Sequence, residues 1–140
     1  MPDLNWIAIV VCTVVAGGLG AAWYSPALFG NAWMAEIGLS AEDAGPAGKE
    51  IAGSMFSCLV ASIAMAWLMT GLGTQGVGSG LMLGAIVGFG IVAMTMLSDA
   101  LFSGWSARLY AIQVGYRATY LILIGGIYGG MAGQADRVVA

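Results

Sequence analysis

From Ile51 to Ser98 the chain runs for 48 residues without a charge. About 20 apolar residues let a helix cross the hydrocarbon core of a bilayer, so this stretch has room for two crossings and a turn. A second uncharged run extends from Leu4 to Ala35. Soluble domains carry about 25% charged residues; here 8% of 140 residues are charged and 60% are hydrophobic. A backbone surrounded by lipid must satisfy its own hydrogen bonds, which leaves helices or a closed barrel. Barrel strands alternate apolar and polar positions, whereas these runs are apolar throughout. The expectation is one all-α transmembrane domain, a four-helix bundle with spans at about 5–24, 51–72, 81–102 and 109–133. The glycine-rich "GLGTQGVGSG", Gly71 to Gly80, reads as a tight connection between the second and third spans.

The first span ends in "WYSPALFGNAW", Trp23 to Trp33. Amphipathic rings favour headgroup depth. Trp23, Tyr24, Trp33, Trp105 and Tyr110 are therefore expected as interface anchors on one side, and Trp6, Trp67 and Tyr128 on the other. Pro26 cannot continue a helix without losing a hydrogen bond. The following "ALFGNAWMAEIGL" reads as a short interfacial segment. A near copy, "SDALFSGW", begins at Ser98, at the end of the third span. The shared Ser-x-Ala-Leu-Phe pattern suggests two related helical hairpins, an internal repeat about an axis along the membrane normal, with Phe29 matching Phe102 and Gly17 matching Gly90.

Asn5-Trp6, the block Gly20, Trp23-Tyr24-Ser25-Pro26, Phe29-Gly30, Trp33-Met34 and Gly38, then Leu101-Phe102 and Gly115-Tyr116, resemble domain-of-unknown-function family 1761. These are small bacterial four-span integral membrane proteins. The resemblance covers nearly the whole chain, and the Trp-Tyr-Ser-Pro block is its most specific part. It implies a multi-pass protein of the bacterial inner membrane and carries over no catalytic residue.

No basic run exists, so nucleic acid is not an expected partner. Four acids, Glu36, Glu42, Asp43 and Glu50, fall in one loop. Lys49 and Arg108 on one side against Arg137 on the other give no clear orientation. The residues before the first span carry no positive charge, so that span is expected to be retained. With no histidine and with Cys12 and Cys58 both mid-span, neither a metal nor a cofactor is expected. The cysteines read as small packing residues. No nucleophile–base pair is present, so the chain is not expected to be an enzyme.

Two patterns carry the functional expectation. Gly80, Gly84 and Gly88, and Gly125, Gly129 and Gly133, recur every four residues. Such a glycine zipper lets helix backbones approach closely, either within one subunit or between the copies of a homo-oligomer. Asp99 and Arg117 are charges within apolar spans, where ionisable groups are costly and often functional. Gln113, Arg117 and Tyr120, with Tyr110, share one helix face, and Thr95 shares a face with Asp99. Together they are expected to form a polar pocket or a structural brace, with Arg108 as an alternative partner for Asp99. The expected function is binding or passing a small solute or ion as an oligomer in the lipid bilayer. The alternative is an accessory subunit packed against a larger membrane complex.

Overall fold

A computed structural model of the chain describes residues 3–40, 42 and 47–139, with side chains up to residue 132. Those residues form five helices: α1 (Trp6–Trp23), α2 (Gly30–Ile37), α3 (Gly48–Gly71), α4 (Val77–Ser103) and α5 (Ala107–Val139). Among the described residues there is no strand. Three of the helices, α1, α3 and α4, are long and apolar enough to cross a membrane.

The helix ends have local causes. Asn5 Oδ1 accepts the Ala8 N–H at 3.0 Å, and Ser106 Oγ accepts the Leu109 N–H at 3.0 Å, capping α1 and α5. Gly38 and Gly104, each at φ 68°, end α2 and α4. At these left-handed residues the Leu39 N–H reaches the Met34 carbonyl (3.0 Å) and the Trp105 N–H reaches that of Ala100 (2.9 Å). The connection after α3 is shorter than its glycines suggest. Helix resumes at Val77, so Gly78 and Gly80 are helical. The cause is packing: the bare Gly80 Cα lies against the Gly125 backbone. Inside α4, Ile86–Val92 widens into a π-helix, which hydropathy does not reveal.

The last helix is the centre of the bundle, and α1, α3 and α4 all pack along it. Cys58 meets Tyr116 and Thr70 meets Tyr128, both 58 residues apart, so α3 and α5 run the same way. Asn5 meets Tyr128 and Ala16 meets Tyr116, so α1 runs opposite. Gly80 faces Gly125 and Gly88 faces Ala118, so α4 also runs opposite to α5. The core joins Ile9 and Cys12 of α1, Met65 and Met69 of α3, and Leu121, Ile124 and Tyr128 of α5. The outer faces are apolar too: Ile7 is 72% exposed, Phe56 67% and Met82 64%. Exposed apolar surface on this scale suits lipid or another protein better than water.

Candidate functional site

The segment Trp23 to Gly30 folds into a closed corner. Pro26 removes a donor and steers Ser25 out of helical geometry. Ser25 Oγ donates back to the Ala22 carbonyl at 2.7 Å. The Phe29 and Gly30 N–H groups return to the carbonyls of Trp23 (3.0 Å) and Ser25 (2.9 Å). A Cβ on Gly30 would overlap the Tyr24 carbonyl, so only glycine closes the corner. The near copy keeps helical backbone through Ser103, and its Phe102 is 92% exposed. Asp99 stands where the first copy has Pro26, so nothing interrupts the ladder there.

This corner turns two expected anchors inward. Trp23 Nε1 donates to the Ile112 carbonyl at 3.1 Å. Its ring fills the slot beside Gly115, where a Cβ would lie 2.9 Å from Cζ2. Tyr24 donates its hydroxyl proton to Gln113 Oε1 at 2.9 Å. Both rings thus face α5 rather than outward, because α5 supplies acceptors and room. Trp33 packs edge-on against Tyr24 at 5.3 Å. Trp105 is half-buried against Ala93, Met96 and Val114. Tyr110 donates to the Ala93 carbonyl at 2.8 Å, and Tyr128 is 2% exposed. Trp6 and Trp67 remain outward-facing.

Beneath the corner lies the cluster around Arg117. Its Nη1 donates to the Gln113 carbonyl and to Gln113 Oε1, both at 3.1 Å. Gln113 Oε1 thereby accepts from Tyr24 and Arg117 together. The guanidinium also lies beside the hydroxyls of Tyr24 and Tyr120. The tyrosine rings pack in series: Tyr24 to Tyr116 is 5.5 Å and Tyr116 to Tyr120 is 5.1 Å. Trp33 Nε1 is buried without a hydrogen-bond partner among the described residues.

Of the residues expected in one pocket, Gln113, Arg117 and Tyr120 come together. Thr95, Asp99 and Arg108 do not; all three are exposed. Thr95 bonds its own helix, donating to the Val92 carbonyl at 2.9 Å. Register explains the separation. Continuing α4 upward from Gly88 opposite Ala118 brings Asp99 beside the first turn of α5. That is about nine residues from Arg117, roughly 14 Å along the axis. Among the described residues no ion pair joins Asp99 to Arg117 or Arg108.

The glycines of α4 and α5 meet within the chain. A Cβ on Gly80 or Gly125 would overlap the other's carbonyl, and one on Gly84 would overlap that of Leu121. On Gly88 it would lie 3.0 Å from Ala118 Cα, and on Gly129 it would overlap the Gly76 carbonyl. The surroundings of Gly133 lie outside the described residues.

Sequence reasoning missed three features. Tyr116, four residues before Tyr120, donates to the Ala16 carbonyl at 3.1 Å and touches Cys58. Its i, i+4 spacing was the available signal. Glu36 accepts a hydrogen bond from Ser106, seating α2 on the start of α5, where a helix dipole favours an acid. At the opposite end, Tyr128 accepts the Asn5 N–H (3.3 Å) and bonds Thr70 (3.2 Å) at the floor of a cleft of about 170 Å³. A second cleft, about 340 Å³, lies beside Leu101, Trp105 and Tyr110. Both cysteines are free and buried.

Helices of this length and apolarity around a polar-studded central helix define a helical protein of membrane character. Residues 7–129 match the family described as "Protein of unknown function (DUF1761)", and the chain belongs to it. No curated protein and no solved structure matches the chain.

Proposed function

We propose that the chain is a four-span, multi-pass protein of the bacterial inner membrane that binds a small solute or ion at the Arg117 cluster. In this reading α5 is the fourth span, enclosed by the other three, and α1–α3 and α4–α5 are the two hairpins of a repeat. Enclosure explains how α5 tolerates an arginine and several tyrosines that a lipid-facing helix would not. The observation that carries the site is the state of Arg117. It is a permanent cation, half-buried on the central helix. Its polar partners are neutral, Gln113 and the Tyr24 hydroxyl, and among the described residues no carboxylate pairs with it.

Binding is favoured over passage. Farther along α5, Leu121 and Ile124 are buried among Ile9, Cys12, Met65 and Met69, an apolar layer that would oppose a hydrated ion. Nothing in the cluster calls for covalent chemistry, so the role is non-enzymatic. A thermal-shift screen of detergent-purified protein against small solutes and ions tests the reading. At least one class should raise the midpoint of the wild type and leave Arg117→Met unmoved. If no class acts, or if the shift survives in Arg117→Met, the site reading falls.

The accessory-subunit reading keeps one observation of its own. Every residue of α3 from Gly48 to Ser57 is exposed, a helix stretch with free sides for a neighbour. Extraction in mild detergent separates the two: a defined homo-oligomer favours an autonomous binding protein, and a co-purifying heterologous complex favours the subunit.

A further inference from the structure

The cleft at the other end of the bundle takes no part in the Arg117 cluster. It encloses about 170 Å³ between the residues ahead of α1, the end of α3 and the outer part of α5. One water needs roughly 10–15 Å³, and drug-sized sites begin at roughly 300 Å³, so this space suits a group of a few heavy atoms. Three parts of the chain line the one space: Asp3 and Asn5, Met69 and Thr70, and Tyr128 and Ala132. Asp3 is exposed and stands just ahead of Trp6, where α1 begins. The mouth therefore opens at the edge of the apolar layer.

The direction of the hydrogen bonds decides what the cleft can hold. A hydroxyl has one proton to give. Thr70 gives its proton to the Ala66 carbonyl at 2.8 Å. In the 3.2 Å contact between Thr70 and Tyr128 the proton is therefore the tyrosine's, and Tyr128 in turn accepts the Asn5 N–H. Both floor hydroxyls have given their protons away, and Thr70 Oγ1 keeps a lone pair. Asp3 is the charged residue among those lining the cleft, and among the described residues nothing pairs with its carboxylate. Met69 and Thr70 belong to the last turn of α3, the negative end of that helix, which holds no basic residue. α4, whose positive end begins at Val77, contributes no lining residue. The remaining side-chain donors, on Asn5, Thr74 and Gln75, are neutral.

We propose that this cleft is a binding site, independent of the Arg117 cluster, for a primary ammonium group on a short apolar stem. The ammonium brings three donors and a positive charge to a space whose charge is a carboxylate and whose floor accepts. Met69, Ala132 and the Tyr128 ring supply apolar wall for the stem. An anion would meet Asp3, and a quaternary ammonium has no N–H to give. The ammonium belongs either to a free amine or to a lipid headgroup, because the mouth lies at headgroup level.

The test uses the full chain in a maltoside detergent at constant ionic strength, with calorimetric titration and the thermal midpoint as readouts. The soluble probes are propylammonium, propan-1-ol, propionate and tetramethylammonium; the lipid probes are short-chain phosphatidylethanolamine and phosphatidylcholine. Saturable binding of propylammonium, with none of propan-1-ol or propionate, would assign a free amine. A response confined to phosphatidylethanolamine would assign the lipid headgroup. Asp3→Asn should weaken binding at least roughly tenfold, the loss of one charge-assisted hydrogen bond. Because Asp3 is exposed, this variant should keep the ligand-free midpoint of the wild type. Ala132→Leu, which fills the cleft and leaves Asp3 in place, should also weaken binding, and Arg117→Met should not. The proposal is overturned if neither ammonium probe binds, or if propan-1-ol, tetramethylammonium or phosphatidylcholine binds as well. Wild-type affinity in Asp3→Asn, or loss of binding in Arg117→Met, would overturn it too. Run in Asp3→Asn protein, the solute screen reads the Arg117 cluster alone, so the failure of either site shows separately.

Discussion

Two faces of α5 meet their neighbours by opposite means. Toward α4 the helix shows Ala118, Gly125 and Gly129, and backbone lies on backbone. Toward α1 and α3 it shows Tyr116, Ile124 and Tyr128, and side-chain hydroxyls reach across: Tyr116 to Ala16 and Cys58, Tyr128 to Asn5 and Thr70. Lipid tails are as apolar as leucine, so helices in a bilayer gain little by burying apolar side chains against each other. What remains is close van der Waals approach or hydrogen bonding: the glycines of α5 use the first toward α4, with a hydroxyl bond from Tyr110 to Ala93 added near its start, and Tyr116 and Tyr128 use the second toward α1 and α3. The lesson is that the two seams should fail differently. The glycine seam has no slack, because backbone cannot move aside. The tyrosine seam is built from separable bonds.

The largest effect is expected at the glycine seam. Gly125→Leu drives a side chain into the Gly80 carbonyl, and α4 must shift along its whole length. The cost should be at least about 3 kcal/mol, the upper end of overpacking losses. Thermal aggregation in detergent measures it. A loss below 1 kcal/mol would mean α4 and α5 separate freely, and the contrast between the faces would collapse.

Tyr128→Phe tests the other face. It removes a buried hydroxyl and leaves the Asn5 N–H and Thr70 without that partner. The expected cost is about 1–2 kcal/mol, at the lower end if the unfolded state in detergent finds other partners. Denaturant titration of both variants under one condition gives the ratio. Parity with Gly125→Leu would show that the seams do not differ in kind.

Much of this was legible in the sequence. The apolar runs marked α1, α3 and α4 within a few residues, and the Trp-Tyr-Ser-Pro block marked the corner and the short α2. Gln113, Arg117 and Tyr120 were grouped by spacing alone. What hydropathy could not supply was direction around each helix and register between helices. Trp23 and Tyr24 sit where an anchor would, yet they turn inward because Gly115 and Gln113 stand opposite. Asp99 looked like a partner for Arg117 because both are charges in apolar surroundings. The Gly80–Gly125 contact sets a register that keeps them apart, and that contact becomes visible only once the helices are packed.

The charge pair therefore gives a smaller, sharper test. In a double-mutant cycle of Asp99→Ala and Arg117→Met the coupling should stay within about 0.5 kcal/mol, the scatter expected for independent sites. A coupling of 2 kcal/mol or more would mean the two charges meet in the membrane, and the register fixed by the glycine seam would then be wrong.

The smallest effect separates glycine as a residue type from glycine at a seam. Gly18 lies inside α1, and a Cβ there would meet nothing within 4 Å. Its φ is helical, since the positive-φ glycines are Gly38, Gly73, Gly76 and Gly104. Glycine in a helix interior is about 0.5–1 kcal/mol worse than alanine, through the chain entropy it must give up. Gly18→Ala should therefore stabilise the protein by up to that amount, while Gly84→Ala, aimed at the Leu121 carbonyl, should destabilise it. The two substitutions add the same methyl group to helices of similar apolarity, so composition predicts the same sign for both. A shared sign in thermal midpoint would mean that glycine content, rather than the approach of α4 to α5, sets stability. Opposite signs assign the difference to position, because only the seam has no room for a methyl.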